Sequence, residues 1–436
     1  MRPRLALIAQ NPAIRYVYEA AAAEDVDVVH VHLPQVGAPP DLPAVVDRVA
    51  LDIFGARDEA MEELRRADEQ RPFAGALTLY EAAVPFTAQL AARLHLPGLP
   101  VPVARRCRDK LAQRQAFHRR GLACPGFARA RTPAHAARLA ARLRLPVVVK
   151  PTNGLSSQGV VRADTPLEVE VAARLVDAIN TETLRRYTDE STGEQPGILV
   201  EEFIDGPEFC VEAFTHDGVT AILAIADKGY PTGPTFEEGT YITPPDLPSD
   251  VIDTVCATVV AAHKALGITT GASHTELRLL DGATPVLLEV GARMGGSGVV
   301  HLPVAKSTGV DFARLVVRAA LGREPNPMPT LRPRPYATSA NWIVPLAGHG
   351  EYGGLRGLDE VLRHPDTVEV LQLLASGAQV PAWPRFTGYP GFVLSRHATY
   401  AQCRDYQAWL GDTLTSTWLS TAEPARHRQS DTRTDA

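Results

Sequence analysis

Short apolar runs punctuate the first hundred residues: RLALIA at 4–9, VDVVHVHL at 26–33 and FAGALTLY at 73–80. Ala- and Glu-rich stretches with helical spacing lie between them, and strand alternating with helix predicts a parallel, Rossmann-like α/β domain over residues 1–105. Three prolines in LHLPGLPVPV (94–103) break that pattern and predict a domain joint, with a helix following from about Asp109 to His118. From PVVVKP (146–151) the pattern changes to paired strands. ILVEEFI (198–204), EFCVEAF (208–214) and AILAIADK (221–228) read as strands, the last two joined through a hairpin turn at His216-Asp217-Gly218. The Pro-rich PNPMPTLRPRP begins a smaller mixed unit expected over 326–420, and 421–436 lack periodicity and read as a disordered tail. The fold class predicted is α/β followed by α+β.

Composition narrows the function classes. With 436 residues and 45% hydrophobic content, the chain exceeds one ordinary core and reads as several packed units. A formal charge of −6 gives no general attraction to nucleic acid or anionic lipid, so neither is an expected partner. Asn11 and Pro12 interrupt the apolar start before a signal-peptide core forms, and no run reaches the roughly 18–20 apolar residues of a membrane span. A cytoplasmic location is the expectation. Cys107, Cys124, Cys210, Cys256 and Cys403 are odd in number and form no CxxC pair, so they read as small buried apolar residues.

The chemistry concentrates in one predicted hairpin. SHTELRLL (273–280) and PVLLEV (285–290) flank a four-residue turn at 281–284, which sets Leu280 opposite Pro285 and Glu276 opposite Glu289. Alternation then assigns Leu277, Leu279, Val286, Leu288 and Val290 to the core face and His274, Glu276, Glu289 and, past the strand end, Arg293 to the other. Opposed like charges with Cβ atoms about 4.5–5.5 Å apart destabilise a sheet. That face offers no lysine, so a hard cation, Mg²⁺ or alternatively Mn²⁺, is the expected partner; two solvated edge carboxylates are the competing reading. Magnesium usually completes its shell with substrate phosphates, which implies a nucleotide polyphosphate. Arg293 could reach its terminal phosphate, and Gly291, Gly295 and Gly296 would allow close backbone approach.

Two other segments suit phosphate and nucleotide. VVVKPTNGLSSQGV (147–160) ends a strand in Lys150 and continues into a loop with Gly154, Ser156, Ser157 and Gly159, whose amides and hydroxyls can cradle oxygens. It lacks GK[ST], and VVRADTPLEVEV predicts a strand and turn before any helix, so it is not a Walker A loop. In ILVEEFIDGPEF the strand offers backbone to an adenine edge, and Glu208 lies within reach of ribose hydroxyls. Alone, Glu201, Glu202 and Glu208 read as a solvated acidic edge.

In order, these pieces resemble the ATP-grasp superfamily over residues 73–325, and within it the carboxylate–amine ligases that include the L-amino acid (dipeptide) ligases. The resemblance implies an ATP-grasp fold: an N-terminal domain, an ATP-grasp domain over 106–325 with a lid at about 145–210, and a C-terminal mixed domain. CRDKLAQRQAFHRRGLACPGF matches the family's helix and strand, which makes Lys110 the first phosphate lysine and Lys150 the second, with NGLSSQGV the flexible phosphate loop. Glu201, Glu202 and Ile204 would line the adenine, the last two through backbone, and Glu208 would bind ribose. Glu276 and Glu289 would hold Mg²⁺, with Arg293 stabilising the transferred phosphoryl group. Gly291 stands where many members carry the Asn of E-x-N-x-R, which leaves the number of metal ions open. DKGYPTGPTFEEGTYITP (227–244) resembles the loop over the amino acid, with Glu238 meeting an ammonium and Tyr241 a side chain; His274 matches a histidine before the first metal glutamate, in either a substrate-contacting or a supporting role.

The implied reaction is ATP-dependent amide formation through an acyl phosphate, releasing ADP and phosphate, with small carboxylate and amine substrates, amino acids being the expected class. A homodimer is the assembly the resemblance leaves open. Two rival readings are an ATP-grasp enzyme that activates bicarbonate or formate, as in biotin-dependent carboxylation or purine synthesis, and a nucleotide-binding protein without turnover. Glu238 argues against the first, and the joint presence of Lys110, Lys150, Glu276, Glu289 and Arg293 against the second.

Overall fold

The computed structural model describes residues 2–35, 41–188, 196–231, 236, 239–325, 328, 338–382, 385 and 388–420. The expected tail at 421–436, most of the Pro-rich linker and the pair Glu237-Glu238 lie outside the described residues.

The first unit runs β1 (Arg4–Ile8), α1 (Tyr16–Ala23), β2 (Asp27–His32), β3 (Val45–Ala50), α2 (Arg57–Gln70), β4 (Gly75–Leu77) and α3 (Val84–Arg93). Its strands form a parallel sheet in the order β3-β2-β1-β4. Leu5 and Leu7 pack into one cluster and Ala6 and Ile8 into another, the two-sided burial a parallel sheet needs and the reason β1 reads as an unbroken apolar run. Strand β3, VVDRVA, has no such run, because an edge strand with half-exposed positions tolerates Asp47 and Arg48. The predicted joint is partly helical. Helix α4 (Val101–Arg108) starts inside it, with Pro102 in the first turn where no amide needs a partner. Helix α5 (Lys110–Arg119) follows, and the Asp109 carboxylate accepts from the amides of Leu111 and Ala112.

Next come β5 (Phe127–Ala130), α6 (Pro133–Leu143), β6 (Val147–Pro151), β7 (Val161–Ala163), α7 (Pro166–Ile179) and β8 (Ile198–Glu202), in which an antiparallel sheet β5-β8-β6-β7 packs against the two helices. A capping box between Thr165 and Glu168 starts α7, so a strand and turn do precede the helix.

The rest of the chain builds β9 (Glu208–His216), β10 (Val219–Gly229), β11 (Thr240–Thr243), α8 (Ser249–Leu266), β12 (Gly271–Leu280), β13 (Thr284–Gly291), α9 (His301–Thr308) and α10 (Phe312–Ala320). It continues with β14 (Thr338–Ile343), β15 (Gly350–Arg356), α11 (Leu358–Arg363), β16 (Thr367–Gln372), β17 (Gln379–Val380), β18 (Gly391–His397), α12 (Tyr400–Thr413) and β19 (Thr415–Ser420). Eight strands form one antiparallel sheet, β13-β12-β9-β10-β11-β14-β18-β16, so strands from beyond residue 338 extend the sheet that carries the predicted metal hairpin. The remaining three form the sheet β17-β15-β19. The β9–β10 turn is the two residues Asp217 and Gly218, with φ of 47° and 76°, the positive pair a tight hairpin turn demands.

The hairpin β12–β13 corrects the predicted route to its register. Leu280 pairs with Thr284, leaving a three-residue turn, and a bulge between Glu276 and Leu277 restores the opposition of Glu276 and Glu289. The bulge moves Leu287 into the core in place of Leu288, which is half-buried and lines a cavity. Cys107, Cys210 and Cys403 are buried as expected, whereas Cys124 and Cys256 are half-buried; all five are free thiols. Among the described residues no helix is long and apolar enough to cross a membrane.

Candidate active site

A cavity of about 460 Å³ opens between the β5-β8-β6-β7 sheet, the carboxyl ends of β1 and β4, and one face of the eight-stranded sheet. Crevices beyond the carboxyl ends of parallel strands are common ligand sites, and here Asn11, Ile14, Tyr80 and Glu81 occupy those ends. The cavity brings together the predicted phosphate residues Lys110, Lys150, Ser156 and Ser157, and the predicted nucleotide residues Glu201, Glu202, Ile204 and Glu208. Tyr241, His274, Glu276, Glu289, Gly291 and Arg293 line the same cavity. Gly159 is outside its lining, buried behind the loop at φ 70°.

The cap on α5 sets Lys110 at the first turn, where its backbone amide bonds the Thr152 carbonyl at 2.8 Å and ties the helix to the end of β6. The Lys110 ammonium donates to the Gly154 carbonyl at 2.9 Å and to Glu289 at 2.8 Å. Lys228 Nζ lies 3.0 Å from Glu276 and 2.7 Å from Glu208. The charge argument therefore needs correcting. The hairpin face itself carries no lysine, but lysines from α5 and β10 already meet both carboxylates. Burial would raise the Glu276 carboxyl, but Lys228 and His274 outweigh it and hold it well below the usual range. Two carboxylates in register, both on the cavity wall, remain a donor set that fits a hard divalent cation.

Glu201 is not a solvated edge residue. It is buried between Arg114, 2.7 Å away, and Lys150 at 2.5 Å, and Arg114 has no exposed surface. Burial would raise its carboxyl, yet Arg114 and Lys150 hold it below the normal range. For Lys150, burial lowers the ammonium's pKa and Glu201 offsets only part of that. Glu202 is exposed on the opposite side of the strand, and Glu208 accepts from Arg278 at 3.0 Å. His274 Nδ1 sits 2.5 Å from Glu212 and Nε2 3.4 Å from Glu276. Although burial favours its neutral form, Glu212 and Glu276 push its pKa up to about 9, so it is a charged support behind Glu276.

Glu81 lies against Gly291. The Arg293 Nε lies 2.7 Å from one Glu81 oxygen and an Arg108 nitrogen 3.3 Å from the other. A Cβ on residue 291 would come within 2.8 Å of that first oxygen, so a side chain there requires the Glu81 carboxylate to shift from its place on Arg293. Sequence reasoning missed Glu81, Arg108, Arg114, Glu212 and Lys228. Lys110 and Arg114, four apart on one helix, share a face, which is a readable signal; Glu81 follows the carboxyl end of β4, which is another.

An ATP-grasp N-terminal domain profile matches residues 18–98, and an ATP-grasp domain profile matches 143–301. An L-amino acid ligase from Bacillus licheniformis is 38% identical, with a TM-score of 0.88 over 96% of this chain and 99% of that one. Alanine–anticapsin ligase of Bacillus subtilis is 27% identical over 273 residues, 60% of this chain, and D-alanine–D-alanine ligase of Geobacter sulfurreducens is 29% identical over 241 residues, 53% of this chain. The aligned part spans 56% of the alanine–anticapsin ligase and 71% of the D-alanine–D-alanine ligase. Identity of 38% over nearly the full length of the Bacillus licheniformis ligase, together with the two ATP-grasp profiles, places the chain in the ATP-grasp superfamily, among its carboxylate–amine ligases.

Proposed function

We propose that the chain uses ATP to join the carboxylate of an amino acid to an amine, which is itself an amino acid or a related compound. The observation that carries this is the opposition of Glu276 and Glu289 across β12–β13, in one cavity with Lys110, Lys150 and Arg293. A carboxylate resists attack by an amine because oxide is a poor leaving group; phosphorylation supplies a better one. Lys110 and Lys150 offset charge on the triphosphate, Glu202 and Ile204 border the adenine, and Glu208 serves the ribose. Glu276 and Glu289 would hold Mg²⁺, which supplies charge neutralisation at the phosphates. Arg293 is aligned by Glu81 toward the transferred phosphoryl group and then toward the oxyanion formed when the amine attacks the acyl phosphate. Exclusion of water from the cavity during turnover would keep that intermediate from hydrolysis. Glu238 as the ammonium partner and Tyr241 as a side-chain contact complete the reading.

The test is ADP release over pairs of amino acids with Mg-ATP. ADP formed in step with a new amide is the expected result. Release driven by bicarbonate or formate, with none from any amino acid pair, would replace this reading with the carboxylase type.

A further inference from the structure

The cavity wall is divided by charge. Every charged residue that lines it precedes residue 294; among the described residues, the wall contributed from Gly296 onward carries no charge at all. The division follows strand order. On one face of the eight-stranded sheet, Glu289 and Glu276 stand at the β13–β12 end, and Lys228 on β10 lies 5.4 Å from the Tyr241 ring on β11. Asn341 pairs with Tyr241 and with Leu394, and Ile343 pairs with Phe392, continuing that face across β14 and β18. Ile343 and Phe392 join Ile14, Tyr389 and the half-buried Leu373 in one apolar cluster that borders the cavity. Within it Asn341 is 1% exposed, and its side-chain oxygen accepts no hydrogen bond from any described residue. A buried acceptor left unmatched is costly, so this one awaits a donor.

We propose that this wall is the side-chain subsite for one amino acid substrate, selecting an apolar side chain of about leucine to phenylalanine size, with Asn341 accepting a hydrogen bond from that substrate's amino group. The inference rests on the ligase reading above and goes further, because it assigns the substrate class and the residues that choose it. A charged side chain placed against Ile343, Leu373 and Phe392 would find no counter-charge and lose its hydration. An apolar one would exchange water for ordinary packing.

The experiment measures ADP release and product with single amino acids varied against a fixed partner, in the wild type, Asn341→Leu and Leu373→Asp. In the wild type, leucine, methionine and phenylalanine exceed aspartate and lysine in kcat/KM by at least ~100-fold, the scale on which pocket contacts discriminate. Asn341→Leu raises the KM of the apolar amino acid by about tenfold or more with the ATP KM unchanged. Leu373→Asp, at a half-buried position and with unchanged ATP KM as the check that the fold is kept, shifts preference toward lysine or arginine. Equal use of charged and apolar amino acids, or unaltered amino acid KM values in both variants, overturns the subsite while leaving the ligase intact. No ADP release with any amino acid overturns the ligase reading and this inference with it.

Discussion

Arg293→Ala will lower turnover by roughly 10²–10³, the cost of removing one donor from a developing oxyanion, while the protein stays folded and binds ATP. The guanidinium sits at the mouth of β13, and burial, which disfavours its charge, is outweighed by Glu81, Glu212 and Glu289, so its pKa is raised. It is therefore a permanent cation held ready before substrate arrives. Fold is spared because Glu81 keeps its second partner, Arg108. Lysine in its place restores the charge but not the fork that contacts Glu81 and phosphoryl oxygens together, so Arg293→Lys recovers only part of the rate. Steady-state ADP release together with an ATP titration separates these effects. A kcat for Arg293→Ala within tenfold of the wild type would remove the residue from the reacting centre.

Glu201→Ala will cost about 3–5 kcal/mol of stability, the usual penalty for breaking a buried ion pair by deleting one partner. Two cations, Arg114 and Lys150, would then share a buried site with no anion between them. The loss should be concentrated where α5 meets the β6–β8 pair, and Glu201→Gln, which keeps the shape and some hydrogen bonding, should lose less. Denaturant unfolding of the three proteins measures this. A loss below about 1 kcal/mol in the alanine variant would show that the triad is solvated in solution and that its charges are screened.

Legibility in the sequence followed locality. The β12–β13 hairpin could be read because its two strands are neighbours along the chain and the alternation of LRLL against PVLLE declares which face is buried. Even there the bulge at Leu288 was invisible, since a three-residue turn and a four-residue turn differ by one position and the bulge cancels the difference at Glu276. Strand β6 announced Lys150 through its apolar run, and the Asp109 cap announced the helix that carries Lys110. The partners of those residues were not readable. Lys110 meets Glu289 across 179 positions, and Arg293 meets Glu81 only because the segments that follow β4 and β13, in different sheets, come together. The uncharged wall depends on β11 pairing with β14 across α8, β12, β13, α9 and α10, an adjacency no local pattern encodes.

The central claim is that the carboxylate is activated by phosphorylation, and oxygen transfer tests it most directly. The amino acid whose carboxylate is activated, labelled with ¹⁸O in both carboxyl oxygens, is turned over with Mg-ATP and its amine partner, and the phosphate products are analysed by mass spectrometry. An acyl phosphate leaves one labelled oxygen in the inorganic phosphate for each amide formed, with ADP unlabelled. Label in AMP accompanied by pyrophosphate, or unlabelled phosphate alongside the amide, would contradict the mechanism built on Arg293 and the Glu276–Glu289 pair.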